Sequence, residues 1–232
     1  MASNGESEDP YRSTPLDVLG VVGKKASALG LLATLQEGTV LYRGRERAGD
    51  ADWPIDEEQL GAPPNFLAKA GRMNPAGISY LYMSTTKSGA LAEVLRGPCC
   101  RAAVATFEVV DTLSVLDLTQ LPALPSLFDD ENRRVREAVL FLKDFVMDIC
   151  QPVQKDGREH ISYVPSQVAS EYFAQLFKTP DGARLDGIVY PSAVSLGNVN
   201  VALFPREGHK PFVHAVRFIN RLLKNLSRPR SN

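Results

Sequence analysis

The stretch GRMNPAGISYLYMSTTKSGALAEVL, residues 71–95, brings Arg72, Asn74, Tyr80, Tyr82, a threonine pair and the lone Glu93 close together. A guanidinium, an amide, phenols and a carboxylate in one segment suit a pocket for a ligand that carries both phosphate and a ring. The planar fork of an arginine offers paired donors to phosphate oxygens. Arg72 on its Pro-terminated turn is one candidate, and Arg43, followed by Gly44 and Arg45, is a second. Arg72 and Asn74 also have a plainer reading as turn chemistry. Glu93 has two readings as well. A helix burying Leu91, Val94 and Leu95 turns Glu93 about 140° from its apolar stripe at roughly 100° per residue, toward solvent or into a cleft.

Two further polar residues fall late in the chain. In NVNVALF, residues 198–204, strand alternation puts Val199, Val201 and Leu203 on one face and Asn200 with Ala202 and Phe204 on the other. A buried amide there needs a partner. Ser192 closes DGIVYPS on the side shared by Ile188 and Tyr190. Two small polar groups in an apolar hairpin suggest a lined pocket, and a satisfied turn serine is the alternative. No histidine lies near enough in sequence to support a Ser–His–Asp triad. GxGxxG and GxxxxGK[ST] loops are both absent.

These residues need elements to hold them. Residues 1–13 are polar and acidic, with the composition of a disordered tail. Leu16, Leu19, Val22, Leu29, Leu32 and Leu35 have helical spacing, and Gly20, Gly23 and Gly30 divide them into short helices. TVLYR, 39–43, is a strand, and 44–70 is a long Gly- and Pro-containing loop. ISYLYM, 78–83, is a strand, and Ser84, Thr85 or Thr86 caps a helix over about 86–96. Residues 102–110 and 113–118 are two strands or one bent strand. Val135, Val139, Leu142, Val146 and Ile149 mark one face of a helix over about 129–150. ISYV, 161–164, is extended, and Pro165 opens a helix to about 178. Residues 186–193 and 198–205 form a hairpin. Strands and helices do not alternate regularly, which favours α+β.

The 232-residue chain suits one large domain, with a net charge of −1 that offers no general field for nucleic acid. Cys99, Cys100 and Cys150 give neither a disulfide framework nor zinc spacing, and His160, His209 and His214 have no metal-ligand pattern. No apolar run reaches about 18 residues, so no membrane span is expected. The polar N-terminus lacks a signal-peptide core, and a cytoplasmic, reducing setting is the expectation. RFINRLLKNLSRPRSN, 217–232, reads as an amphipathic end helix and basic tail.

With these segments in order, the sequence resembles the RES-domain family. The matching blocks are YRGR (42–45), GRMNPAGISYLYMS (71–84), ALAEVL (90–95), YVPSQVASEYF (163–173), DGIVYPSA (186–193) and GNVNVALF (197–204). The resemblance implies an ADP-ribosyltransferase-like core of two small packed β-sheets with surrounding helices. It would comprise a tail and short helices over 1–37, a single domain over 38–218 with a helical insert at about 119–160, and a basic tail over 219–232. It also implies a toxin that degrades NAD⁺ as a glycohydrolase or phosphorylase, using NAD⁺ as substrate and neither metal nor cofactor. The partners it implies are an Xre-type antitoxin, possible inorganic phosphate as acceptor, and a possible homodimer. Glu93, Arg43 and Ser192 would be catalytic, and Arg43, Arg72, Asn74, Tyr82, Ser192 and Asn200 would bind NAD⁺. Met73 stands where the family usually carries an aromatic. Competing readings are a protein ADP-ribosyltransferase, a nucleotide-binding module without turnover, and an effector delivered to other cells.

Overall fold

The computed structural model describes residues 14–47, 56–95, 101–150, 163–206, 212 and 216–219. The fold is α+β. Helix α1, Pro15–Ala28, begins on a capping box in which the Thr14 side chain accepts from Asp17 N and Asp17 returns a bond to the Thr14 backbone. Gly20 and Gly23 do not break it. Gly23 is buried, and a Cβ there would collide with the Phe177 ring and crowd the Tyr172 hydroxyl, so the position serves close packing. The expected second short helix is instead strand β1, Leu32–Leu35. Leu29 and Gly30 end the helix, Gly30 at φ +71°, and β1 then pairs with β5, Leu113–Asp117.

β2 covers Val40–Arg47, longer than expected because all eight of its residues pair with β4, Arg101–Val109. The following loop contains the short helix α2, Glu57–Leu60, and a 3₁₀ turn, Asn65–Leu67. β3 is only Leu81–Ser84, and α3, Lys87–Val94, follows a Thr86 cap whose hydroxyl accepts from Gly89 N. β4 and β5 are separate strands that lie far apart in the sheet. α4 is Arg133–Cys150, and α5, Val164–Glu171, runs into a π turn, Tyr172–Leu176. β6, Gly187–Pro191, and β7, Val199–Leu203, form the expected hairpin. β8, Val216–Phe218, pairs with β4, so strand replaces the start of the expected end helix. Residues 1–13, 151–162 and 220–232 lie outside the described residues, as do Cys99, Cys100 and the three histidines.

The expected two sheets are joined as one of eight strands, in the order β1-β5-β6-β7-β3-β2-β4-β8. β2 and β3 share a single pair, Tyr42 with Ser84. The sheet therefore divides into two halves that bury a common core. Leu81, Met83, Val189, Val201 and Leu203 come from one half, and Leu41, Ala103, Ala105, Phe107 and Val109 from the other. The opposite face of the first half carries Tyr80, Ile188, Tyr190, Ala202 and Phe204. These pack on Leu19 and Val22 of α1, Leu142 and Phe145 of α4, and Phe173 and Phe177. Alternation along β3, β6 and β7 thus feeds two cores, one on each face.

Candidate functional site

Glu93 is the meeting point. Ser192 Oγ donates to Glu93 Oε1 at 2.9 Å, and Asn200 Nδ2 donates to the same oxygen at 2.7 Å. Two residues about a hundred positions from Glu93 in sequence therefore converge on one of its carboxylate oxygens. The sheet register explains how. Tyr42, Ser84, Asn200 and Tyr190 are aligned across β2, β3, β7 and β6, placing Asn200 at the centre of a transverse row. Asn200 is buried, as its facing requires.

Helix α3 brings Glu93 to this row by a route the sequence did not reveal. Its buried residues are Gly89 and Ala90, whereas Leu91, Val94 and Leu95 are only half-buried. Glu93 lies three and four residues beyond Ala90 and Gly89, on their face of the helix and not opposite a buried stripe. The helix can approach closely because β2 has Gly44 beneath it, where a Cβ would collide with the carbonyl of Ala90.

Ser192 is oriented by its neighbours. Its hydroxyl oxygen accepts from Val194 N at 3.3 Å and Ser195 N at 3.1 Å. A hydroxyl has two acceptor lone pairs and one proton, so these bonds direct the proton to Glu93.

The other expected site residues separate into distinct roles. Arg72 Nη1 donates to Asp148 O in the last turn of α4 at 2.8 Å, and its guanidinium carbon lies 5.0 Å from the Tyr163 ring centre. Its turn is docked on α5, where Ser166 Oγ donates to Arg72 O and Gln167 Nε2 donates to Gly71 O and Asn74 O. Asn74 is buried, and its Nδ2 donates to the carbonyls of Lys69, Pro75 and Ile78. Its Oδ1 accepts from Tyr82 OH at 2.7 Å. What Asn74 does here is fold the 69–78 loop and hold the Tyr82 phenol. Met73 is a core residue, 1% exposed, packed in the core shared with α1, α4 and Phe173.

Arg43 shares the β2 face of Leu41, whose side chain lies in the core between the sheet halves. Burial, and then repulsion from Arg45, lowers its pKa to about 10. Its Nη1 is buried without a hydrogen-bond partner among the described residues, as is Asn200 Oδ1. Buried polar atoms are normally paired, so the orphaned acceptor of Asn200, beside Glu93, suits a polar ligand, whereas Arg43 faces away from the side of β2 on which α3 lies over Gly44.

Two residues enter the site that composition and spacing did not single out. Tyr190 is buried in the transverse row, and its phenol pKa is raised by burial first, then by Tyr82, Glu93 and Cys150. Cys150, at the end of α4, donates to Pro191 O at 3.0 Å, one residue before Ser192. Burial and Glu93 push its thiol up to about 11 against the opposing influence of Arg72. The long helix of the expected insert therefore reaches the Ser192 strand and the Arg72 turn. The only earlier signal for Tyr190 was its facing alongside Ser192. Cys150 had none, because the α4–β6 contact is purely tertiary.

A family model described as the RES domain matches residues 45–221. The chain belongs to the RES family. The match covers well over half of the chain and includes Arg72, Glu93, Ser192 and Asn200, while Arg43 lies just before it. No curated protein matches the chain. In this RES domain no helix among the described residues is long and apolar enough to cross a membrane. The described residues contain no group of three or more His, Cys, Asp or Glu arranged to hold a metal.

A cavity of about 1520 Å³ opens elsewhere, lined by Leu81, Phe107, Ser114, Asp186, Phe204 and Arg206 among others. Leu81, Phe204 and Asp186 lie at the opposite ends of β3, β7 and β6 from Ser84, Asn200 and Ser192. Glu93, Ser192 and Asn200 converge at the other end of these strands.

Proposed function

We propose that this RES domain cleaves the nicotinamide–ribose bond of NAD⁺, passing the ribosyl carbon to water or inorganic phosphate. The observation that carries the reading is the pair of bonds from Ser192 and Asn200 to Glu93 Oε1. Nicotinamide leaves as a neutral molecule from a cationic ring, and positive charge develops on the ribose as the bond breaks. An oriented carboxylate stabilises that charge more in the transition state than in the ground state. Glu93 takes this role. Ser192 and Asn200 hold its plane fixed without adding charge.

Asn200 has an acceptor still to satisfy. In this reading it takes a ribose hydroxyl. Arg72 is the phosphate contact, and Tyr82, held by Asn74, packs toward the nicotinamide side. The single carboxylate differs from the paired acids of ordinary glycosidases. An Xre-type antitoxin is the proposed neutralising partner.

The test is incubation of the purified protein with NAD⁺, with and without inorganic phosphate, and identification of products by mass. Free nicotinamide with ADP-ribose indicates hydrolysis, and a phosphorylated ADP-ribose formed only with phosphate indicates phosphorolysis. Intact NAD⁺ under both conditions rejects the reading. Arg72→Ala is expected to raise KM about tenfold or more, the scale of losing a hydrogen bond to a charged group, with a smaller effect on kcat.

A further inference from the structure

Glu93 and Ser192 sit on elements that approach only through tertiary contacts, so something must fix the 192–198 loop relative to α3. A chain of side chains does so. Thr86, the cap of α3, accepts from Gly89 N at 2.9 Å and donates its hydroxyl proton to Asn198 Oδ1. Asn198 Nδ2 in turn donates to Ser195 Oγ. Within the same loop, Asn198 N donates to Ser195 O at 3.0 Å, and Ser192 N donates to Asn198 O at 2.9 Å. Ser195 N is one of the two donors that orient the Ser192 hydroxyl toward Glu93.

Glu93 lies seven positions after the cap along α3, so the network closes a ring: Thr86, Asn198, Ser195, Ser192, Glu93 and back along the helix. Gly89 allows the close approach, since a Cβ there would crowd Asn198 Cγ at 3.2 Å as well as the Ser84 and Thr86 hydroxyls.

We propose that Asn198, gripped by Thr86, is a positioning residue that sets the direction of the Ser192 hydroxyl and thereby the alignment of Glu93. The inference rests on the reading of Glu93 as the reaction centre. Asn198 is linked to Glu93 through the Ser195–Ser192 segment. Its loss should reduce the rate more than binding, because misalignment of about 1 Å can cost on the order of a hundredfold.

The experiment compares Asn198→Ala, Thr86→Val, Thr86→Ser and the Asn198→Ala/Thr86→Val double variant. NAD⁺ turnover, thermal unfolding and amide exchange over residues 192–198 are measured for each. The expected result is a fall in kcat of about tenfold for Asn198→Ala and Thr86→Val, with KM within about twofold. Thr86→Ser, which keeps the hydroxyl, should retain wild-type kcat. The double variant should be little worse than either single one, since both cut the same link. Variants that lose only thermal stability while the folded protein keeps its kcat overturn the proposal. If the wild type leaves NAD⁺ intact, the enzymatic reading fails, and exchange alone decides whether Asn198 positions the 192–198 loop. Faster exchange in Asn198→Ala and Thr86→Val but not in Thr86→Ser upholds it, and unchanged exchange refutes it.

Discussion

A carboxylate that accepts two directed hydrogen bonds on one oxygen is constrained more tightly than one held by a surface cation. For Glu93 the donors are a hydroxyl whose proton has no competing direction and an amide set in a sheet row. Removing the carboxylate tests its role directly. Glu93→Ala should fold and release no nicotinamide, and turnover by a folded Glu93→Ala protein would take Glu93 out of the centre. A second residue-scale consequence concerns Cys150, whose thiol is kept neutral by burial and by Glu93 up to a pKa of about 11. Below that pH little thiolate exists, and thiolate is the reactive form. Alkylation of Cys150, followed by peptide mass, should therefore be slow near pH 8 and rise toward pH 11. In Glu93→Gln the negative charge is gone, so the midpoint should fall. An unchanged or higher midpoint would show that Glu93 does not act on the thiol. Glu93, Ser192 and Asn200 could be nominated from sequence because chemistry and strand facing are local. Asn74 shows where that ends: an amide on a turn has the same composition whether it meets a ligand or, as here, three loop carbonyls and a phenol.

The elements were legible in proportion to the strength of their periodic pattern. α4, with its regular apolar face, and the β6–β7 hairpin stand where spacing puts them. β1 was missed because Leu29, Leu32 and Leu35 satisfy a helical period equally well, and only pairing with β5 decides between the two. α3 failed in a more instructive way. An eight-residue helix with apolar residues spread around it has no dominant face, and its inward side is chosen by two glycines and an alanine. Gly44 in β2 and Gly89 and Ala90 in α3 let the helix lie nearly on the strand, which brings Glu93 to Asn200. Gly44→Val should destabilise the fold by about 1–3 kcal/mol through overpacking against a backbone carbonyl that cannot turn aside. The measurement is the shift in urea midpoint. A Gly44→Val protein of wild-type stability would mean that α3 has room to move away, and the close approach would then not be what fixes Glu93.

Across the whole molecule, the short strands of the first sheet half have two unlike ends. One carries Ser84, Asn200 and Ser192 beneath Glu93, and the other opens into the large cavity around Asp186. A strand of five residues spans roughly 17 Å, so a carbon reacting at one end is out of reach of a side chain at the other. Asp186 makes this separation testable. It is buried, accepts from Ser114 N at 2.9 Å and pairs with Arg206, whose side chain is half exposed. It therefore binds the start of β6 to β5 and the cavity rim. Asp186→Ala leaves Ser114 N and Arg206 without that partner and should cost about 2–4 kcal/mol of stability in denaturant unfolding. Under conditions where the variant remains folded, kcat and KM for NAD⁺ should stay within about twofold of wild type, since Glu93, Ser192 and Asn200 are tied together independently of Asp186. A large rise in KM with stability unchanged would instead place substrate in the cavity, and the carboxylate cluster at the far end would then need another explanation.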